Sequence, residues 1–146
     1  MGALSGEVIE DGNQKSETST VNKRKPYAIW SVDGRDYKLK LTTQSIINLE
    51  DKLGTNLLNV ISSTDNGSMP ALKVMLLIAH QAMQKYEHGI KEADVIDLFD
   101  KYQDEGGTQM TFMTDVFFPI YQVSGFFSQA QTESMDKRLE NAKEMM

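Results

Sequence analysis

The sequence contains no cysteine, so disulfide staples, thiolate nucleophiles and cysteine metal sites are excluded at once. Only two histidines, His80 and His88, are present, too few for a nitrogen-rich metal centre. Lysine and arginine number 15 against 21 aspartates and glutamates. The resulting net charge of −6 argues against electrostatic capture of nucleic acid. No apolar run reaches the length a bilayer requires, because Lys73, His80 and Gln81 interrupt the longest one. Behind the N-terminal charges there is no apolar signal-peptide core, which predicts a chain that is not exported. Glycine-rich phosphate loops are absent, as is any serine beside a base, so no cofactor is expected.

What the chain does have is one dominant apolar segment. Leu72, Val74, Met75, Leu76, Leu77, Ile78, Ala79, Ala82 and Met83 place apolar side chains all round a helix. Ser68 as N-cap, Pro70 in the first turn and Gly89 beyond the end predict a buried central helix over Pro70–His88. A surrounded helix needs neighbours, and the flanking segments supply them.

Residues 1–25 are polar and aperiodic, with balanced charge, and predict a flexible leader. Order is expected from Pro26. Asp33-Gly34 between two alternating stretches predicts a two-residue hairpin, with Val32 opposite Arg35, Trp30 opposite Tyr37 and Ala28 opposite Leu39. Its apolar face would carry Ala28, Trp30, Val32, Tyr37, Leu39 and Leu41. Thr42 or Thr43 starts a helix bearing Ile46, Ile47, Leu49 and Leu53, closed by Gly54. A short helix around Leu57–Ile61 follows, then a polar loop over 62–68.

After the central helix, Val95, Ile96, Phe99 and Tyr102 mark a helix over 91–104. Its outer face is acidic, with Glu87, Glu92, Asp94, Asp97, Asp100, Asp104 and Glu105. An EF-hand starting at Asp100 fails at Tyr102, Glu105 and Thr111, so a solvated face is expected there and no metal site. Thr108 caps a last core helix to about Val123, which Pro119 should kink or break near residues 115–118. The polar tail over 128–146 carries only Met135 and Leu139 as large apolar side chains ahead of the terminal methionines, and predicts a frayed helical extension. The expected fold is therefore mainly α: an N-terminal two-stranded β-hairpin on a bundle of about five helices, a single domain over 26–127.

The candidate site is an aromatic cluster: Phe117, Phe118, Tyr121, Phe126 and Phe127, with Met110 and Met113 beside it. Phe117 and Tyr121 suit an ordinary core. Adjacent helical side chains point in different directions, so one phenylalanine of each pair should be exposed or covered by something else. Aromatic and methionine side chains near element ends are what an adaptable protein-binding surface uses.

Several spaced motifs carry a resemblance. They are Tyr37-Lys38-Leu39-Lys40-Leu41-Thr42, Leu49-Glu50-Asp51-Lys52-Leu53-Gly54 and Tyr86-Glu87-His88-Gly89-Ile90. Asp94-Val95-Ile96-Asp97-Leu98-Phe99-Asp100-Lys101-Tyr102, Gly106-Gly107 and Tyr121-Gln122-Val123-Ser124-Gly125-Phe126-Phe127 complete the set. Over roughly Tyr27 to Phe127 the chain resembles the tail assembly chaperones of long-tailed phages and prophages of Gram-positive bacteria, in their short form.

That resemblance implies a non-enzymatic factor in the cytoplasm of the infected or lysogenic host, absent from the mature virion. Its partners would be the tape measure protein and the tail tube protein, with copies self-associating along the tape measure. Two alternatives stand beside it. One is a small acidic regulator that inhibits a nucleic-acid-binding host protein; the other is a minor structural tail protein.

Overall fold

The structure, a computed structural model, describes residues 25–66 and 68–145. The leader expected over 1–25 lies, but for Lys25, outside the described residues. The fold is mainly helical with an N-terminal antiparallel hairpin.

Strands β1 (Ala28–Val32) and β2 (Arg35–Leu39) pair in the expected register, Ala28 with Leu39, Trp30 with Tyr37 and Val32 with Arg35. Asp33 (φ 54°) and Gly34 (φ 75°) both take left-handed backbone, as a twist-matched two-residue turn demands. All six residues of the expected apolar face are buried. A two-stranded hairpin is marginal by itself, and here it is tied down. Lys40 N–H donates to Ala82 O at 2.9 Å, and Leu41 N–H to Ser124 Oγ at 2.9 Å.

Helix α1 (Thr43–Leu53) begins where Thr42 Oγ1 accepts from Ser45 N–H, and ends where Gly54 N–H donates to Glu50 O. It buries Leu49 and exposes Ile47, which the sequence placed with the core. Helix α2 (Leu57–Ser62) is capped by Asn56. In the expected loop a 3₁₀ turn spans Ser63–Asn66.

The central helix α3 (Leu72–Met83) is shorter than Pro70–His88. Its N-cap is Ala71, extended at ψ 142° and without a side-chain cap, so Ser68 and Pro70 lie outside it. At the other end, His80 Nε2 and Gln84 Nε2 lie 2.9 and 3.0 Å from Ile90 O and pin the returning chain. Met75, Ile78, Ala79, Ala82 and Met83 are fully buried, against the hairpin, α1, α4 and the turn after α5.

Helix α4 (Glu92–Asp104) buries Val95, Leu98 and Phe99. Ile96 is 55 % exposed, contrary to expectation. Val95 and Phe99 fix the inward face; Leu98, three residues from Val95, shares it, whereas Ile96 is turned away.

Helix α5 (Gln109–Phe112) starts in a reciprocal cap: Thr111 N–H donates to Thr108 Oγ1, and Thr108 N–H to Thr111 Oγ1. The interruption foreseen from Pro119 takes the form of a π turn, Met113–Phe117, before α6 (Phe118–Val123). Proline cannot donate to the carbonyl four residues back, and its ring crowds that carbonyl. The wider turn relieves this, with Phe118 N–H donating to Met113 O. Trp30, Phe99, Tyr102 and Phe112 then interlock edge to face, with Trp30 and Phe112 centroids 5.0 Å apart.

The polar tail forms α7 (Gln129–Met145), and the expectation that Met135 and Leu139 would not anchor it is corrected. Met135 is buried and Leu139 half-buried against the core, and Gln122 Nε2 donates to Asp136 Oδ1 at 2.9 Å. Two apolar side chains contribute about 1.5–3 kcal/mol each when fully covered, enough to seat a helix that already forms its own backbone bonds.

Candidate functional groove

The candidate residues divide between core and surface. Phe117 and Tyr121 are fully buried, as expected of ordinary core. Phe118 is buried as well, so neither member of that pair is exposed. Met135 and Leu139 of α7 line the same groove as Phe118. Phe126 and Phe127 are each half-buried, lying 4.8 and 6.5 Å (centroid to centroid) from the Tyr121 ring. Tyr121 is thus the post around which the cluster is arranged.

Its hydroxyl also fixes the surrounding helices. Tyr121 Oη donates to Leu57 O at 2.7 Å, while Leu57 N–H donates to Glu50 Oε2 at 3.0 Å. One chain of hydrogen bonds therefore joins α6, α2 and α1. Burial pushes the Tyr121 hydroxyl well above the ordinary phenol value, and the Glu50 carboxylate adds to the shift. The group is a neutral hydrogen-bond donor at physiological pH.

Beside this post lies a groove of about 620 Å³. Leu58 and Ile61 line it from α2, Met110 from α5, Met113 and Thr114 from the π turn, and Phe118 from α6. Phe127 lines it too, and α7 supplies Met135 and Leu139. Four of the seven candidate residues, Met110, Met113, Phe118 and Phe127, meet here; Phe117, Tyr121 and Phe126 are not part of the lining. Leu58 is 46 % and Met110 40 % exposed, so the lip of the groove offers apolar surface to solvent. Leu58 was not among the candidate residues, although the sequence placed it on the short helix around Leu57–Ile61. The signal was present: Leu57 and Leu58 are adjacent on one short helix and cannot both point inward.

The acidic face is mostly engaged within the molecule. Glu87 pairs with Arg35, Glu92 with Lys52 at 3.0 Å, and Glu105 accepts from Asp33 N–H at 2.8 Å. The hydrogen bond from Lys52 holds the Glu92 carboxyl below the usual carboxylate range. Asp94 closes the first turn of α4 by accepting from Lys91 N–H. Among the described residues, no group of three or more His, Asp or Glu is placed to hold a metal ion. Nor is any of their helices long and apolar enough to cross a membrane.

A family model matches residues 25–145 of this sequence, from before the hairpin to the end of α7. The chain belongs to that family, described as a family of unknown function (DUF6096). No curated protein and no solved structure matches the chain. Family membership includes α7, so the helix that lines the groove lies within the family's shared extent.

Proposed function

We propose that this chain is a tail assembly chaperone of a long-tailed phage or prophage, working without catalysis in the bacterial host. It covers apolar stripes of the tape measure protein until tail tube subunits replace it. The observation that carries this reading is the open apolar groove lined by Leu58, Met110, Met113 and Phe118. A tape measure protein is a long helical chain whose apolar face would aggregate if left bare. A groove between helices is the natural receptor for such a face. The motif order from Tyr27 to Phe127 supports the same role. So does the charge of −6, which keeps a complex with an apolar partner in solution. Weak, repeated engagement along a long partner gives avidity while leaving each copy displaceable.

The test is co-expression with the tape measure protein and recovery of the pair. Leu58→Glu with Met110→Glu changes two exposed residues on the lip of the groove. That double variant should keep its helical content by circular dichroism and lose the tape measure protein. Full recovery of the pair by the folded variant would refute the assignment. Reversing charge at Asp94, Asp97 and Asp100 separates the regulator alternative: a chaperone working through the groove retains its partner, whereas an acidic mimic loses it.

A further inference from the structure

The face built by α2, the π turn and α6 already carries a helix of the same chain, which forms one wall of the groove. Met135 and Leu139 of α7 stand four residues apart, on one face, and line the groove with Leu58, Ile61, Met113 and Phe118. Among the described side chains of α7, Met135 alone is buried. About 620 Å³ remains unfilled with α7 in place, and Leu58 and Met110 stay exposed at the lip. Helix α7 therefore walls the groove without filling it.

We infer that the groove takes an amphipathic helix of a partner and that α7 is the resident helix this partner displaces. The inference rests on the proposed role of the groove as a partner-binding surface. A partner helix with apolar residues at i, i+4, i+7 and i+11 presents more apolar surface than Met135 and Leu139 do. Tethering gives α7 a high local concentration, so helices offering only two such residues are outcompeted. Longer stripes win. The resident helix thus sets a threshold on what binds, and in the unbound protein it closes one side of the groove.

The absence of cysteine allows a clean experiment. Glu140→Cys, exposed on α7, takes a single fluorophore whose anisotropy reports release of that helix. The probe is a synthetic helical peptide of about 20 residues with leucines at i, i+4, i+7 and i+11. Binding should lower the anisotropy of the label in step with occupancy. Met135→Ser with Leu139→Ser removes the resident anchors and should bind the peptide at least about tenfold tighter than the unaltered chain. Leu58→Glu should weaken the peptide in both backgrounds. Equal affinity for both chains, with the label unmoved, would overturn displacement while leaving the groove as a helix receptor. Failure of the peptide to bind either chain, or binding indifferent to Leu58→Glu, would remove the receptor as well. The label on the otherwise unaltered chain distinguishes release from retention of α7 even if the double serine variant fails to fold.

Discussion

On the hairpin side of the molecule, Trp30 packs edge to face with Phe112 at 5.0 Å and with Tyr102 at 5.8 Å; Trp30, Phe99 and Phe112 are buried and Tyr102 is half-buried. On the α2 side, Phe118 lines a groove with exposed Leu58 and Met110, walled by a helix that packs on the body through Met135 and Leu139. Both sides draw on the same residue types. They differ in what closes them: strands and helices locked by register and caps in one case, a polar tail that packs through Met135 and Leu139 and bonds Gln122 through Asp136 in the other. Regions sealed by many partners set stability, whereas regions sealed by few can exchange partners.

The sharpest way to break this contrast is to hollow the hairpin side. Trp30→Ala should cost about 3–5 kcal/mol, read as a large fall in the midpoint of urea unfolding. Trp30 Nε1 makes no hydrogen bond, so Trp30→Phe should cost clearly less. Gly107→Ala comes next. A Cβ there would lie 2.4 Å from the Tyr102 ring, whose hydroxyl is bonded to Thr111 at 2.6 Å. Displacing that ring should cost about 1–3 kcal/mol, without affecting the groove.

Tyr121→Phe bridges the two sides, since it leaves Leu57 O without its buried donor, at about 1–2 kcal/mol. It also has a pH signature. The hydroxyl sits above its ordinary value of 10.0 in the folded chain, so its contribution is whole below about pH 10 and is lost as pH rises beyond it. Thermal melts between pH 9 and 11 should therefore fall less steeply for Tyr121→Phe than for the unaltered chain. The smallest effect on stability is expected at the groove. Leu58→Glu should shift unfolding by about 0.5 kcal/mol or less while abolishing partner binding. A large loss of stability there would erase the distinction between the two sides.

The hairpin was readable in full, because turn type and alternation each specify the same register and agree here. The cap at Thr108 was readable for a similar reason, a local side chain satisfying a local donor, while the first helix was narrowed to Thr42 or Thr43, of which Thr42 is the cap. The extent of α3 was not. Its end is decided by Ile90 O, which His80 and Gln84 approach from the end of the helix, and no local pattern announces that return. That one of Phe117 and Phe118 must be exposed or find separate cover was legible; that both are buried around a π turn was not. In the candidate cluster, Phe117 and Tyr121 read as core, and both are buried. The exposure of Leu58 and Met110 was not legible, because it belongs to the packing.

Hydrogen–deuterium exchange, run on the chain alone and in complex with the tape measure protein, would show whether a partner takes the place of α7. New protection should appear in α2 around Leu58 and from Met110 to Phe118, together with faster exchange in α7 as it leaves the groove. Protection confined to α4 and its acidic residues, with the groove and α7 unchanged, would contradict both the receptor and the displacement.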